Sequence, residues 1–216
     1  MDDPLKKTRD RLRITLILYT FSKPIHLKEN TEISRVFQTE IKIQALDFLL
    51  RYPDFLSCEL MDLMANDSGI DKSEIKSIIK EIYHNEEPIL RVDEMQKFFY
   101  GAYESIDSVI LFLKSVQFID FESKRRSDLQ AYDKTYYITH RCIHQIENGL
   151  LSIPSVKWYY GRCKLIKKYF DHFSGSDLKR RQYRYKEYNV PYTALIQTLN
   201  EQVRNSYYEH FKEELS

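Results

Sequence analysis

Glycine is scarce: five residues in 216. None of the five builds the Gly-rich loop that cradles a phosphate, and neither His-Glu-x-x-His nor Gly-x-Ser-x-Gly occurs, so the common nucleotide, zinc-protease and hydrolase motifs are absent. Cysteine is scarce too. Cys58, Cys142 and Cys163 lie far apart with no Cys-x-x-Cys pair, which gives neither a disulfide framework nor a zinc knuckle and suits a reducing compartment. No long apolar run exists. The longest candidate, Leu12 to Phe21, is broken by Arg13 and Thr15 and falls short of the ~20 residues that span a bilayer. No leader pattern opens the chain, so a cytoplasmic location without membrane contact is expected. Net charge is nearly absent as well, at +1, so no global field draws the chain onto nucleic acid.

Catalytic groups do not cluster. Six histidines are dispersed, and only His140 and His144 share a helical face at i, i+4. That is ligand spacing, but no third Cys, Asp or Glu stands in register, and the pair reads as a solvated helix start. Glu86-Glu87 and Asp93-Glu94 lack companions for two-metal chemistry. Neither catalytic residues, metal nor cofactor is expected.

What is abundant is aromatic: 17 Tyr and 12 Phe. Rings with a polar tip suit interfaces, where one end is dry and the other wet; an AT-rich genome raises the same residues.

Hydrophobic periodicity predicts helices over 8–22 and 39–52, a third that follows the reset at Pro53 and carries Phe55 to Met64 before a turn at Asn66 to Gly69, and a fourth over 73–83, with Pro24 ending the first. Residues 23–39 read as an irregular connection with one short turn, and 89–103 are ambiguous. A helix over 105–116 then leads into Phe118 to Glu122, which alternates as a strand. A charged loop follows, then a second strand at Lys134 to Thr139, then a helix from Arg141. Helix, strand, loop, strand, helix is the pattern of a winged helix, although Cys142 stands where many such hairpins place Gly. Beyond Pro154 a long helix and a mostly helical tail, kinked at 189–191, are expected. The fold class predicted is therefore mainly α with a small β-hairpin. A winged-helix core over 1–150 is followed by a basic, Tyr-rich helical arm over 151–216.

That arm carries the main charge feature. Between Lys157 and Lys186 ten Lys or Arg face two Asp, a local +8. Lys164, Lys167, Lys168, Lys179, Arg180, Arg181, Arg184 and Lys186 are candidates for tracking a DNA backbone, which cations bind by releasing counterions. An acidic protein partner and simple solvation are the competing readings. Lys124, Arg125 and Arg126 in the hairpin loop are a second candidate DNA contact. Tyr159, Tyr160, Tyr183 and Tyr185 are candidate partner contacts. The helix over 105–116 would be the recognition helix, yet it lacks the Arg, Asn and Gln that read base edges. It suits protein docking better than sequence-specific DNA binding.

The blocks Phe37 to Phe48, Arg51-Tyr52-Pro53-Asp54-Phe55-Leu56 and Pro88 to Tyr103 resemble the middle component of ABC-three-component bacterial defence systems, of which the Lamassu type is best known. The resemblance covers roughly residues 10–145 and leaves the C-terminal arm outside. It implies a non-catalytic adaptor that joins an SMC-like ATPase to an effector subunit, often a nuclease, in defence against phages and plasmids. Arg51 and Asp54, inside the most recognisable block, are expected to form a helix-junction pair or cap, with a partner contact as the other reading. A free-standing winged-helix transcriptional regulator is the alternative function.

Overall fold

A computed structural model of the chain describes residues 4–28, 30–87, 105–125, 131–189, 191 and 194–215. The ambiguous stretch 89–103 and Arg126 lie outside the described residues. The chain is mainly helical with a small four-stranded antiparallel sheet. No helix among the described residues is long and apolar enough to cross a membrane.

Two compact units form, each from two stretches of chain: Met1–Asp47 with Ser105–Arg180, and Phe48–Glu104 with Arg181–Ser216. This is a different division from the expected boundary at 150. The helix beyond Pro154 belongs to the first unit, because it packs on the N-terminal helix.

In the first unit α1 (Pro4–Phe21) is buried on every side from Arg13 to Phe21, as a helix at the centre of a core must be. Arg13 sits inside it at 1% exposure, and its Nε donates to Asp47 at 2.8 Å. The first two strands follow, β1 (Lys23–Pro24) and β2 (Ile33–Gln38). A sharp reversal at Thr39, φ 70°, leads into α2 (Glu40–Arg51). After the second unit's first stretch come α5 (Asp107–Ser115), β3 (Ile119–Arg125) and β4 (Ala131–Thr139). The sheet runs β1-β2-β4-β3, with Phe37 and Phe121 both opposite Tyr136.

The α5–β3 junction is tight. Gln117 takes the left-handed conformation (φ 61°), its N–H donates to Lys114 and that of Phe118 to Leu113. This is the Schellman closure in which Gly usually fills the left-handed position. Thr139 ends β4 and caps α6 (His140–Asn148), its Oγ1 accepting from the Cys142 N–H at 3.1 Å. A 3₁₀ turn (Leu150–Ser152) leads to α7 (Pro154–Phe170) and α8 (Gly175–Gln182).

The strand β2 falls where an irregular connection was expected. Its sequence, Ile-Ser-Arg-Val-Phe-Gln, does not alternate cleanly; pairing with β4 along 135–139 makes it a strand. Tertiary context overrides weak local preference here.

The second unit holds α3 (Pro53–Asn66), α4 (Lys72–His84) and α9 (Asn200–Phe211). Pro53 opens α3 and Asp71 caps α4 through the Ser73 N–H at 2.8 Å, as their chemistry favours. Phe48 is the hub of the core, stacked on Tyr52 at 4.8 Å and edge-on to Phe55 and Tyr188 at 4.9 and 5.3 Å. The C-terminal stretch is less helical than expected: residues 183–189 and 194–199 lie outside any helix.

Candidate functional site

The unit division splits the basic run, and the two halves behave differently. The first unit carries 22 Lys and Arg against 15 Asp and Glu, a net +7. The second carries 11 against 17, a net −6. A chain that is almost neutral overall is therefore two oppositely charged bodies.

In the second unit Arg181 and Arg184 are absorbed by acids of α3. Arg181 pairs with Glu59 through Nε and with Asp62 at 2.7 Å; Arg184 reaches Asp62 at 3.1 Å and Glu59 at 3.4 Å. Glu59 is 2% exposed and takes a further hydrogen bond from the Tyr185 hydroxyl at 2.8 Å. Burial pushes the Tyr185 phenol up, so it stays protonated and donates. A buried carboxylate needs such partners to remain charged. This half of the run is a structural network. Lys186 is exposed, and Tyr183 is partly exposed with its ring edge-on to Tyr188.

Arg51 and Asp54 also lie inside the second unit, 1% and 0% exposed. Asp54 accepts from the N–H of Phe55 at 2.9 Å and of Leu199 at 2.6 Å. As folded, neither side chain presents surface to a partner.

In the first unit the basic residues of α7 sort by face. Arg162 is buried with its guanidinium 5.3 Å from the Trp158 ring centroid, and the Lys167 ammonium donates to the Thr20 carbonyl at 2.6 Å. The Lys167 bond ties α7 to α1, while Arg162 lies back along α7 itself. From Lys157 to Lys168 the exposed positions are Lys157, Gly161, Lys164 and Lys168. Lys164 stands 4.9 Å from the Tyr160 ring centroid, and Tyr160 leans on Tyr19 at 5.9 Å. Tyr159 is half-buried against Trp158. On α8, Arg180 pairs with Asp177, and partial burial lowers the Lys179 ammonium. Lys124 and Arg125 lie at the end of β3 and not in the expected loop, because the ladder with β4 continues through Tyr132 and Ala131.

The outward face of α5 is the other distinctive surface. Its exposed residues are Asp107, Ser108, Leu111, Lys114 and Ser115, with Leu111 59% exposed. The charges around Leu111 are engaged: Asp107 with Lys134 at 2.9 Å, Lys114 with Asp120 at 2.6 Å. The hydrogen bond from Lys134 holds the Asp107 carboxyl below its ordinary value.

The three thiols are buried, and desolvation pushes Cys142 and Cys163 up to about 12 and Cys58 further, the opposite of what a nucleophile needs. Among the described residues no three His, Cys, Asp or Glu side chains gather as a metal site. Sequence reasoning missed the Glu59–Asp62 network and the charge division. Glu59 and Asp62 lie three residues apart on α3 with two more arginines 122 residues on, and no local pattern links them. The acidic bias of 48–104, twelve acids against six bases, was visible but had no boundary to attach to.

No family, curated protein or solved structure matches the chain.

Proposed function

We propose that the chain is a non-catalytic adaptor built on a winged-helix module, which docks other proteins through α5 rather than reading DNA with it. Support for the module comes from element order and sheet order together. Helix α1, strand β2, helices α2 and α5, then the β3–β4 hairpin follow the winged-helix sequence, and β2-β4-β3 is its strand order. On this reading, residues 52–104 are an insertion between the module's second and third helices.

One observation carries the docking role: an exposed Leu111 framed by charges already paired within the fold. An apolar anchor among neutralised neighbours suits a protein hot spot, where burial of the anchor supplies the affinity and the rim excludes water. A base-reading helix needs free polar side chains aimed at the groove. Here the single cation, Lys114, is held by Asp120, so the transcriptional-regulator reading gains no support.

The partners proposed are an SMC-like ATPase and an effector, often a nuclease, in a cytoplasmic anti-phage or anti-plasmid complex. This part rests on the resemblance of residues 10–145; three unpaired buried thiols suit that compartment. The test is co-expression of the tagged chain with its gene neighbours. Recovery in fixed ratio with a large ATPase supports the proposal, and recovery of the chain alone counts against it.

A further inference from the structure

We propose that the solvent face of α7 binds the phosphodiester backbone of a nucleic acid duplex without reading its sequence. The proposal does not rest on the adaptor role, since it concerns a surface of the first unit and is tested on the chain alone.

The helix Pro154–Phe170 carries five basic residues and no acid. Two of them face inward, Arg162 and Lys167. The other three, Lys157, Lys164 and Lys168, are exposed. At about 100° per residue they fall within about 40° of one another around the axis, and they span about 16 Å along it. That is the axial length of about five base pairs at about 3.4 Å per phosphate of one strand. A single-signed row on a straight helix meets a line of phosphates along its length. Between Lys157 and Lys168 the exposed residues are three lysines and a glycine, and Ile153, 45% exposed, stands one turn before them. Competition by a polyanionic peptide therefore separates a phosphate row from a docking site for an acidic protein.

Gly161 supplies a second, independent observation. Glycine inside a helix costs stability relative to alanine. The usual structural reason is a crowded neighbour, yet a Cβ placed on Gly161 meets nothing within 4 Å. Nothing in the fold requires glycine there. An exposed, side-chain-free position between three lysines lets another backbone approach closely. The net +7 of this unit adds a favourable field at longer range.

The experiment is fluorescence anisotropy of the full chain with labelled DNA and RNA duplexes of about 20 base pairs, in two unrelated sequences, over a series of salt concentrations. Each phosphate contact adds about 0.9 to the slope of log K against log salt on B-DNA. The variant Lys157→Gln/Lys164→Gln/Lys168→Gln should lower the slope by about 3 and weaken binding at least tenfold at the lowest salt. Lys→Arg at the same three positions should preserve both. Gly161→Gln should raise the melting temperature yet weaken binding, while Arg184→Gln/Lys186→Gln should leave binding unchanged. Binding of either duplex supports the proposal, and the tighter one names the nucleic acid. An unchanged slope in the Gln variant, an equal loss from Arg184→Gln/Lys186→Gln, a more than tenfold preference between sequences, or equally effective competition by polyglutamate would each overturn it.

Discussion

The backbone N–H of Leu199 donates to the carboxylate of Asp54 at 2.6 Å, across 145 residues of sequence. With the Phe55 N–H on the other oxygen, Asp54 fixes the non-helical stretch before α9 to the start of α3. Burial pushes the Asp54 pKa up, while the two N–H groups hold it down. Because its folded value lies above its unfolded one, the stability it contributes is full below the ordinary carboxylate range and is lost as pH rises through the raised value.

The first prediction follows from that sign. Asp54→Asn cannot ionise, so the wild type should gain stability relative to it as pH falls from 7 towards 4, measured by urea denaturation. A difference that stays constant or reverses over this range would contradict the assignment. Asp54→Ala leaves two buried N–H groups without an acceptor and should cost about 2–5 kcal/mol.

Arg181 should matter for stability and not for nucleic acid. Its guanidinium is 16% exposed, against a Glu59 side chain at 3%. Arg181→Ala takes the closest cation from the buried Glu59, which keeps Arg184 and the Tyr185 hydroxyl, and should cost about 2–3 kcal/mol. Removing both partners, as Arg181→Met/Glu59→Leu, should recover most of that loss. Chemical denaturation of the two variants decides it: additive losses would mean the pair is not a coupled unit.

These cases show what the sequence made legible. Elements with strong periodicity and clear punctuation are found close to their expected bounds: α2, α3, α4, α5 and α7. The β3–β4 hairpin stands where it was expected, but its strands run on to Arg125 and back to Ala131, into what read as a charged loop from 123 to 133. The strand β2 was hidden because its residues do not alternate and its partner lies about 100 residues away. The basic run looked uniform because sequence proximity set Lys168 beside Arg181. The fold assigns them to different units, one exposed and one clasped by acids encoded 122 and 119 residues earlier. Arg51 and Asp54 stood out as a motif, and their burial explains the motif through packing. The exposure of Leu111 depended on how α5 was rotated over its hairpin, which periodicity alone does not settle for one residue.

Gly175 is where a close approach dictates the residue. A Cβ there would lie 2.6 Å from the Lys42 backbone nitrogen and 3.0 Å from the Ile41 carbonyl carbon. Both neighbours are main chain at the start of α2 and cannot swing away. Gly175→Ala should therefore destabilise the chain by about 1–3 kcal/mol, whereas Gly161→Ala in open space should stabilise it. Thermal melting of the two variants in parallel gives opposite shifts if the close approach is real; two shifts of the same sign would refute it.

If α5 docks protein through Leu111, as proposed, Leu111→Glu should abolish the contact. The amount of SMC-like ATPase recovered with the tagged chain after co-expression with its gene neighbours, wild type against Leu111→Glu, decides it. Leu111 is 59% exposed, so the substitution should leave the melting temperature within a degree or two. Fixed-ratio recovery of the ATPase is expected with the wild type and its loss with the variant. Equal recovery with both, or recovery with neither, would contradict the proposal.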